Sequence, residues 1–350
     1  MRTLNHALAV IALALPAAWA GAQDYPPTKL NVVGNLGITT QYKDLEQPFW
    51  TQYIEQASHG QVTAQIKPWN EMGLKGPEVI KLLRQGLFDI GTTQMSFLAG
   101  DGPINDGVDL PGVSTSLGEL REVTQAFRPY LEKYYEQRLG LKILGLWSFQ
   151  AQLLYCSKEI GSLADLKGRK VRTGGAAQAA FIEYFGGSGV NMAFGEVQQG
   201  LQNGVVDCAI TGALGGYSAK WYEAAKYLYA LPINWASSIS AASLKRWNAL
   251  DPKVRELIIA GYGKLEADIY AQNERENDIG LACLTGSGPC PKGEPGSMVL
   301  KPVHPGDLEL RRKALEERVL PDWAARCGPE CTADWNASVG RVVHMTAKAK

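Results

Sequence analysis

The chain has 350 residues, in which 35 Lys and Arg balance 35 Asp and Glu, so the formal net charge is zero. A balanced surface has no overall field to attract nucleic acid or anionic lipid, and any anion recognition must come from a few local groups. The length allows two domains of ordinary size.

The first residues have the pattern of an export signal. Arg2 gives a positive start, residues 7–15 form an apolar run, and the Ala-Trp-Ala sequence at residues 18–20 fits a cleavage site. The apolar run is too short to span a membrane. We predict that residues 1–22 are a signal peptide and that the mature protein is periplasmic. A retained anchor is the alternative.

An even number of cysteines in an exported chain favours disulfide bonds over a metal site. The six cysteines are Cys156, Cys208, Cys283, Cys290, Cys327 and Cys331. Local pairing of Cys283 with Cys290 and of Cys327 with Cys331 is the simplest arrangement, and it leaves Cys156 with Cys208. The spacing does not exclude crossed pairing. A zinc site is the other alternative, although the C-x2-C spacing is absent.

Strands alternate with helices in the first half of the chain. Residues 29–34, 62–67 and 88–91 have strand patterns, and residues 42–57 have apolar positions at helical spacing. Pro77 suits the first turn of a further helix. This alternation predicts an α/β fold whose mixed sheets are mostly parallel and covered on both faces.

The second half has a sheet and helices of its own. The predicted strands are residues 152–156, 170–173 and 227–233, and the predicted helices are residues 176–185, 252–276 and 307–327. We expect the last of these helices to pack across the two halves. Residues 284–298 are rich in Gly and Pro and predict a loop.

A weak internal repeat relates the two halves. Glu78, Val79, Leu83, Gly86 and Asp89 recur with identical spacing as Glu196, Val197, Leu201, Gly204 and Asp207. Each copy predicts a helix, a glycine stop and a strand that opens on Asp. One copy in each half indicates two similar lobes. Chance is the alternative, because such units are common in α/β proteins.

The sequence has no convincing catalytic constellation. His59, His304 and His344 stand alone, and no metalloprotease, nucleotide-binding or nucleophile-elbow motif is present. We therefore predict a binding protein that is not an enzyme.

Arg172 is the strongest candidate for ligand binding. It lies in the predicted strand 170–173, directly before Gly174, Gly175 and the start of a helix. Ligands of open α/β sheets bind beyond the carboxyl ends of strands, and an Arg at that edge can hold a carboxylate with two parallel hydrogen bonds. The alternative is a surface Arg like its neighbour Arg169.

Aromatic residues gather near predicted strand ends and could form the apolar walls of a site. They are Trp69, Trp147, Phe149 and Trp235. Packing in the core or hinge is the alternative, and we favour it for Trp147 and Phe149. Asn234 could donate a hydrogen bond to a ligand or hold a turn.

Several motifs together resemble the extracytoplasmic solute receptors of tripartite ATP-independent periplasmic (TRAP) transporters, of the dicarboxylate-receptor (DctP-like) type. The best segment is Leu-Ala-Asp-Leu-Lys-Gly-Arg-Lys-Val-Arg at residues 163–172, followed by Phe-Gly-Glu-Val at 194–197 and Gly-Val-Val-Asp at 204–207. The resemblance extends from about residue 29 to about residue 327.

The resemblance implies a two-lobed periplasmic binding protein fold (type II-like) with a long helix that spans both lobes. The expected limits are residues 24–147 plus 236–282 for lobe I and residues 148–235 plus 283–345 for lobe II. It also implies capture of a small organic acid in the cleft between the lobes and delivery to a TRAP membrane permease. We expect no nucleic-acid partner.

The resemblance further assigns candidate ligand-binding residues. Arg172 matches the carboxylate-binding arginine of the family, and Gln152 stands where many relatives have a second arginine. The other candidates are Thr211, Asn234 and Trp235 from the second lobe and Thr39, Trp69 and Met95 from the first. Some relatives have acidic residues near Thr211 and Trp235 that help to bind a metal ion, and this chain lacks them. We therefore expect no cofactor and no metal.

The expected ligand is a monocarboxylate with an apolar or aromatic body, and the expected state of the protein is a monomer. Two other functions remain open from the sequence. One is a sensory receptor that signals to a kinase. The other is a secreted enzyme that acts on a carboxylate.

Overall fold

The computed structural model describes residues 25–100 and 102–349, so the predicted signal peptide at residues 1–22 lies outside the described residues. The described strands are β1 (Thr28–Gly34), β2 (Val62–Pro68), β3 (Ile90–Gln94), β4 (Leu141–Ser148), β5 (Gln152–Cys156), β6 (Lys170–Thr173), β7 (Ser188–Asn191), β8 (Cys208–Gly212), β9 (Tyr227–Tyr229), β10 (Ser237–Ser243) and β11 (Val299–Lys301).

The helices surround these strands. The described α-helices are α1 (Ile54–Ala57), α2 (Gly76–Arg84), α3 (Leu117–Tyr134), α4 (Ala176–Tyr184), α5 (Val197–Gln202), α6 (Ala213–Ser218), α7 (Leu244–Ala249), α8 (Pro252–Thr285), α9 (Asp307–Ala314), α10 (Leu320–Ala337) and α11 (Val339–Val342). Short 3₁₀ turns span Trp69–Met72, Met95–Leu98, Pro103–Asp106, Leu163–Leu166, Phe194–Glu196 and Trp221–Glu223. Wider π-helical turns span Gln41–Glu46, Phe49–Tyr53, Tyr135–Leu139 and Leu315–Val319.

The strands form two mixed sheets. Sheet I has the order β2-β1-β3-β10-β4, and sheet II has the order β11-β9-β5-β8-β6-β7. Among the described pairs, five are parallel and four are antiparallel. The antiparallel pairs involve β10 and β5, the two strands that the chain enters directly after it crosses between the sheets. The predicted mixed α/β architecture is present, with a smaller excess of parallel pairing than the sequence suggested.

The chain passes between the sheets at three places. Residues 149–151 connect β4 to β5, and residues 230–236 connect β9 to β10. The third connection is α8, which packs against β4 at one part of its length and against α6 at another. Its 34 residues correspond to about 51 Å at 1.5 Å per residue. The sequence predicted this helix only to residue 276, and the structure extends it to Thr285 before the left-handed Gly286.

The two copies of the internal repeat have the same structural role. Asp89 directly precedes β3, and its carboxylate accepts a hydrogen bond of 2.7 Å from the N–H of Asn31 in the neighbouring β1. Asp207 precedes β8, and its carboxylate accepts a bond of 2.9 Å from the N–H of Lys170 in the neighbouring β6. Each Asp therefore fixes the register of one parallel pair, which supports the prediction of two similar lobes.

The C-terminal helices connect parts of both halves, as predicted. At the start of α9, the carboxylate of Asp307 accepts hydrogen bonds from the N–H of Leu163 and the hydroxyl of Tyr229, beside sheet II. In α10, the indole of Trp323 donates to the carbonyl of Pro103 at 2.7 Å, in the segment that precedes α3. The predicted helix at residues 307–327 is present and contains one π-helical turn, and the helical segment continues beyond it through a kink at Gly328, whose φ is +82°.

All six cysteines form the local pairs that the sequence favoured: Cys156–Cys208, Cys283–Cys290 and Cys327–Cys331. The Cys156–Cys208 bond joins β5 to its neighbour β8 and closes a segment of 52 residues. It therefore links the strand that enters sheet II to a central strand beside the cleft.

Replacing both Cys156 and Cys208 by Ala is expected to lower the free energy of unfolding by about 4 kcal/mol, because a long loop is then released in the unfolded chain. The matched control replaces Cys283 and Cys290, which are 7 residues apart, and is expected to lose about 2.5 kcal/mol. Urea unfolding without reductant measures both values. Equal losses in the two variants would contradict loop length as the cause.

Glu46 is a buried acid beneath sheet I. Its side chain is 2% exposed, and its Oε2 accepts a hydrogen bond of 2.8 Å from the N–H of Asn35. Burial raises the pKa of Glu46 from 4.5 to about 7, although hydrogen bonds from Thr92 and Asn35 oppose this shift. The phenols of Tyr42 and Tyr262 lie close enough to interact with its charge.

The raised pKa of Glu46 predicts a loss of stability as the pH rises. The carboxyl group of Glu46 loses its proton near pH 4.5 in the unfolded chain and near pH 7 in the folded chain. The contribution of Glu46 to the free energy of unfolding therefore falls between these pH values and stays constant above pH 7. Glu46→Gln resembles the neutral acid and should gain up to roughly 3 kcal/mol over the parent by pH 8. Urea unfolding at pH 5 and pH 8 tests this. Parallel pH profiles for parent and variant would contradict it.

Candidate ligand-binding site

A small open-sided cavity of about 40 Å³ lies where the carboxyl ends of strands from both sheets meet the two chain crossings. Five of the predicted ligand-binding residues line it, namely Arg172, Gln152, Thr211, Asn234 and Thr39. Residues that are separated by up to 195 positions in the sequence are thus brought together.

Arg172 is a buried cation that has no carboxylate partner in the described residues. It is 4% exposed, and its Nε and Nη1 donate hydrogen bonds of 3.0 Å to the carbonyls of Met192 and Ile210. Its guanidinium lies 5.9 Å from the ring centre of Phe194 and 5.8 Å from that of Trp221. Burial lowers the pKa of Arg172 to about 10, so the side chain remains charged at neutral pH.

The local sequence explains this position. Alternation in β6 places Val171 in the core and Arg172 on the opposite face of the sheet. The strand lies between β7 and β8, and the backbone of β8 supplies the Ile210 carbonyl that holds the guanidinium. Two N–H groups are occupied by the protein, and a guanidinium has five, so the others can bind an anion in the cavity.

Neutral amide groups occupy much of the cavity wall. Gln178 donates from Nε2 to Oδ1 of Asn234 at 2.8 Å, and Oε1 of Gln178 accepts from the N–H of Gly174 at 2.7 Å. Gln152 donates from Nε2 to the carbonyl of Gln150 at 2.9 Å. No Asp or Glu lines the cavity in the described part of the chain. The wall therefore does not repel an anion, and it offers donors and acceptors for a further polar group.

Asp109 holds the second crossing in place. Its carboxylate accepts hydrogen bonds from the N–H of Trp235 at 2.8 Å, the N–H of Ser237 at 3.0 Å and Nδ2 of Asn234 at 3.1 Å. The surroundings raise the pKa of Asp109 to about 7 through loss of solvation, and these hydrogen bonds oppose the shift. Asp109 thus fixes Asn234 while that side chain faces the cavity.

The first crossing is tied to α8. Gln150 lines the cavity, and its Nε2 donates to the carboxylate of Glu276. On the preceding turn of α8, Nδ2 of Asn273 donates to the carbonyl of Ser148, and Oδ1 of Asn273 accepts from Nε2 of Gln41 at 2.9 Å. These bonds connect the long helix with the segment that passes between the sheets.

A larger open groove of about 860 Å³ adjoins the cavity. The cavity and the groove share Leu36, Ser96, Gly174 and Phe194 in their walls. Aromatic rings from both halves of the molecule line the groove: Trp69, Phe97, Phe194 and Trp221. The polar cavity around Arg172 therefore opens into an apolar passage.

The structure places the remaining predicted residues elsewhere. Trp69 lies in the adjoining groove. Met95 is 1% exposed and lines a small neighbouring cavity beside Asp109. Trp235 packs in the core on the side of sheet II, and its indole donates to the carbonyl of Ser114 at 3.5 Å. Its side chain turns away from the cavity because its backbone N–H is held by Asp109.

The sequence did not single out Gln178 and Ser96, which line the cavity, or Asp109, which supports it from behind. Phe149, for which packing in the core or hinge was favoured, also lines the cavity. Gln178 is one turn after the Gly174–Gly175 pair, so the helix start that pointed to Arg172 could also have pointed to it. Asp109 stands in the sequence Asp-Leu-Pro at residues 109–111, far from the crossing that it holds, and no local pattern there pointed to the site.

The turn after β6 touches the opposite half of the molecule. A Cβ atom on Gly175 would lie 3.1 Å from the carbonyl oxygen of Ser96 and 3.3 Å from its Cβ. Contacts this close with a backbone atom leave no room for a larger side chain. Glycine at this position therefore permits the two halves to meet over the cavity.

Gly175→Val is expected to hold the cleft open and to weaken binding of the ligand at least tenfold, because the added methyl groups collide with Ser96. The matched control is Gly263→Val on α8, since Gly263 is exposed, lines neither the cavity nor the groove, and a Cβ there meets no atom within 4 Å. Calorimetric titration of both variants with a ligand from the screen described below measures the effect. Equal affinities for the two variants would show that this contact does not limit closure.

Two sheets joined by three crossings, with an unpaired buried cation in the cleft between them, define a two-lobed ligand-binding receptor. The family model for "Bacterial extracellular solute-binding protein, family 7" (DctP) matches residues 37–287. The chain therefore belongs to this family, and the family resemblance predicted from the sequence is confirmed.

Similar proteins support this family assignment. The chain is similar to the 2,3-diketo-L-gulonate-binding periplasmic protein YiaO of Escherichia coli K12, with 21% identity over 228 residues that cover 64% of this chain and 69% of that protein. The fold matches DctP7 of Bordetella pertussis, an extracytoplasmic solute receptor binding pyroglutamic acid, with a TM-score of 0.77 at 20% identity over 88% of this chain and 98% of that one.

A TRAP periplasmic solute binding protein from Desulfovibrio salexigens, solved with bound orotic acid, matches with a TM-score of 0.80 at 18% identity over 90% of this chain and 99% of that one. These likenesses confirm the two-lobed α/β fold. Membership of the family confirms a solute receptor of the TRAP type that acts outside the cytoplasmic membrane with a permease, rather than an enzyme.

Two further observations concern the surroundings of the receptor. Within residues 25–100 and 102–349, no helix combines the length and apolar character needed to cross a membrane. The same residues contain no cluster of three or more His, Cys, Asp or Glu side chains that could hold a metal ion. A site without cofactor or metal stays a prediction.

Proposed function

We propose that this receptor captures a small monocarboxylate in the cavity around Arg172 and delivers it to its TRAP permease. The observation that carries the proposal is the buried guanidinium of Arg172, which lacks a carboxylate partner among the described residues and faces a cavity without acidic groups. An unpaired buried charge is costly, and a ligand carboxylate would compensate it. Solved relatives with pyroglutamic acid and orotic acid support an organic acid as ligand.

The single cation in the wall favours a ligand with one carboxylate. Each charge-assisted hydrogen bond contributes roughly 1.5–3 kcal/mol, so a bidentate contact provides a large part of the roughly 8 kcal/mol of a micromolar complex. The amides of Gln178, Gln152 and Asn234 would bind a further polar group of the ligand. In such a ligand, the further polar group would stand between the carboxylate and the apolar body.

The adjoining groove favours an apolar or aromatic body. Trp69 and Phe97 come from one half of the molecule and Phe194 and Trp221 from the other, so a ligand that extends along the groove would contact both. Only the closed arrangement makes both sets of contacts, which is why binding would shift the receptor towards closure.

We also propose the lobe limits expected from the sequence, with lobe I at residues 24–147 plus 236–282 and lobe II at residues 148–235 plus 283–345. The strands of sheet I lie within residues 28–148 and 237–243, and those of sheet II within 152–229 and 299–301, which supports these limits. We propose that the receptor acts as a monomer, without a cofactor, after removal of residues 1–22.

A thermal-shift screen of the mature protein against organic acids tests the function. A ligand at about 100 times its Kd should add roughly 2.7 kcal/mol of stability. Arg172→Met should abolish the shift, because the ligand carboxylate loses its counter-ion. Arg84→Met, an exposed arginine on α2, gives the same change of charge and should leave the shift intact.

The ranking of hits tests the ligand class. Monocarboxylates with an apolar or aromatic body should give larger shifts than polyhydroxylated sugar acids. If every acid that stabilises the parent also stabilises Arg172→Met to the same extent, Arg172 does not bind the ligand and the proposed site is wrong. If sugar acids give the largest shifts and those shifts are lost in Arg172→Met, the site is correct but the preference for an apolar or aromatic ligand is wrong.

A further inference from the structure

A second cavity of about 310 Å³ adjoins the crossing between β9 and β10 and shares no lining residue with the cavity around Arg172 or with its groove. Its wall includes Gly112 and Val113 before α3, Pro232 of the crossing and Arg311 of α9. The N–H of Gly112 donates to the carbonyl of Ile233 at 2.9 Å, so these segments are joined directly.

Arg311 is a second buried arginine without an ion pair in the described residues. It is 5% exposed, and the hydrogen bond that its guanidinium makes is from Nη1 to the carbonyl of Pro232, at 2.6 Å. The neighbouring basic residues on the same helix are paired differently. Arg312 contacts Glu316 at 2.9 Å, and Lys313 contacts Glu309 at 2.9 Å, both at the surface.

Glu119 is the acid in the wall of this cavity, and it is engaged by other groups. Its Oε2 accepts hydrogen bonds from the N–H of Thr115 at 2.6 Å and from the hydroxyl of Thr115 at 2.8 Å. Burial lowers the pKa of Arg311, and the charge of Glu119 opposes this shift without forming an ion pair. Most of the donor capacity of Arg311 is therefore unused by the protein.

The rest of the wall is largely apolar. Val113, Leu315, Val343 and Met345 line the cavity, and Leu308 lies at its edge with 56% of its surface exposed. The polar part of the wall consists of Arg311, Arg312, Thr115 and Glu119, and of these Arg311 is the buried cation without an ion pair in the described residues. A buried cation beside apolar side chains matches a molecule that has a carboxylate at one end and a hydrocarbon chain at the other.

We propose that this cavity is a second binding site, specific for amphiphilic monocarboxylates such as medium-chain fatty acids, with Arg311 as the carboxylate-binding residue. The carboxylate pairs with the free N–H groups of Arg311, and the chain lies against Leu315, Val113 and Leu308. The site is separate from the transport ligand, so it does not depend on the function proposed above.

Calorimetric titration of the mature protein with octanoate tests the site. Octanoate also belongs to the ligand class proposed for the cavity around Arg172, so every protein titrated carries Arg172→Met. This parent should bind octanoate with a Kd below about 1 mM. Adding Arg311→Met keeps the aliphatic packing, removes the charge and should weaken binding at least tenfold. Adding Arg84→Met is the matched control for loss of an arginine and should leave binding as in the parent.

Two further tests of the site do not depend on the folding of Arg311→Met. Leu308→Asp places a negative charge at the exposed edge of the cavity, where the fold tolerates it, and should also weaken octanoate binding at least tenfold. 1-Octanol has the same chain without the carboxylate and should bind much more weakly than octanoate. Circular dichroism and thermal unfolding establish that each variant is folded.

The proposal is overturned if octanoate binds Arg311→Met and Leu308→Asp as tightly as it binds the parent. Absence of binding to the parent at about 1 mM octanoate, or equal binding of 1-octanol, has the same consequence.

Discussion

The charge of Arg172, held inside the cleft without a carboxylate partner in the described residues, is the constraint on which the arrangement of the site depends. Carbonyls of Met192 and Ile210 fix the guanidinium from the side of sheet II, and the rings of Phe194 and Trp221 cover it. These contacts position the cation but leave its charge uncompensated. The absence of acidic residues from the described cavity wall then leaves the ligand as the counter-ion.

The crossings between the sheets connect this charge with the rest of the molecule. Asp109 binds the crossing that carries Asn234, and Glu276 of α8 binds Gln150 on the other crossing. Both crossings also contribute to the cavity wall, so under the proposed function the segments that bend during closure would also contact the ligand. Gly175 permits the last contact, because its missing side chain lets the turn after β6 meet Ser96.

Local patterns predicted much of the fold and part of the site. The bounds of β5 and β6 were correct because their alternating and apolar residues are flanked by clear turns. The helix expected at residues 42–57 is present from residue 41 to residue 57, although much of it, on both sides of Pro48, winds into wider π-helical turns. The strand expected at residues 227–233 ends at Tyr229, because the chain leaves sheet II there to begin its crossing.

For the candidate site, too, local sequence patterns predicted some residues, and contacts between distant segments decided the others. By itself the sequence determined an exported, disulfide-bonded α/β receptor and pointed to Arg172, since a strand end, a glycine turn and a helix start are local features. Only the tertiary structure decided which distant side chains join it: Gln178 and Ser96 enter the cavity, and Trp235 packs away from it. The pairing of sheets and the path of the crossings fix these positions, and they depend on contacts between segments that no local pattern records.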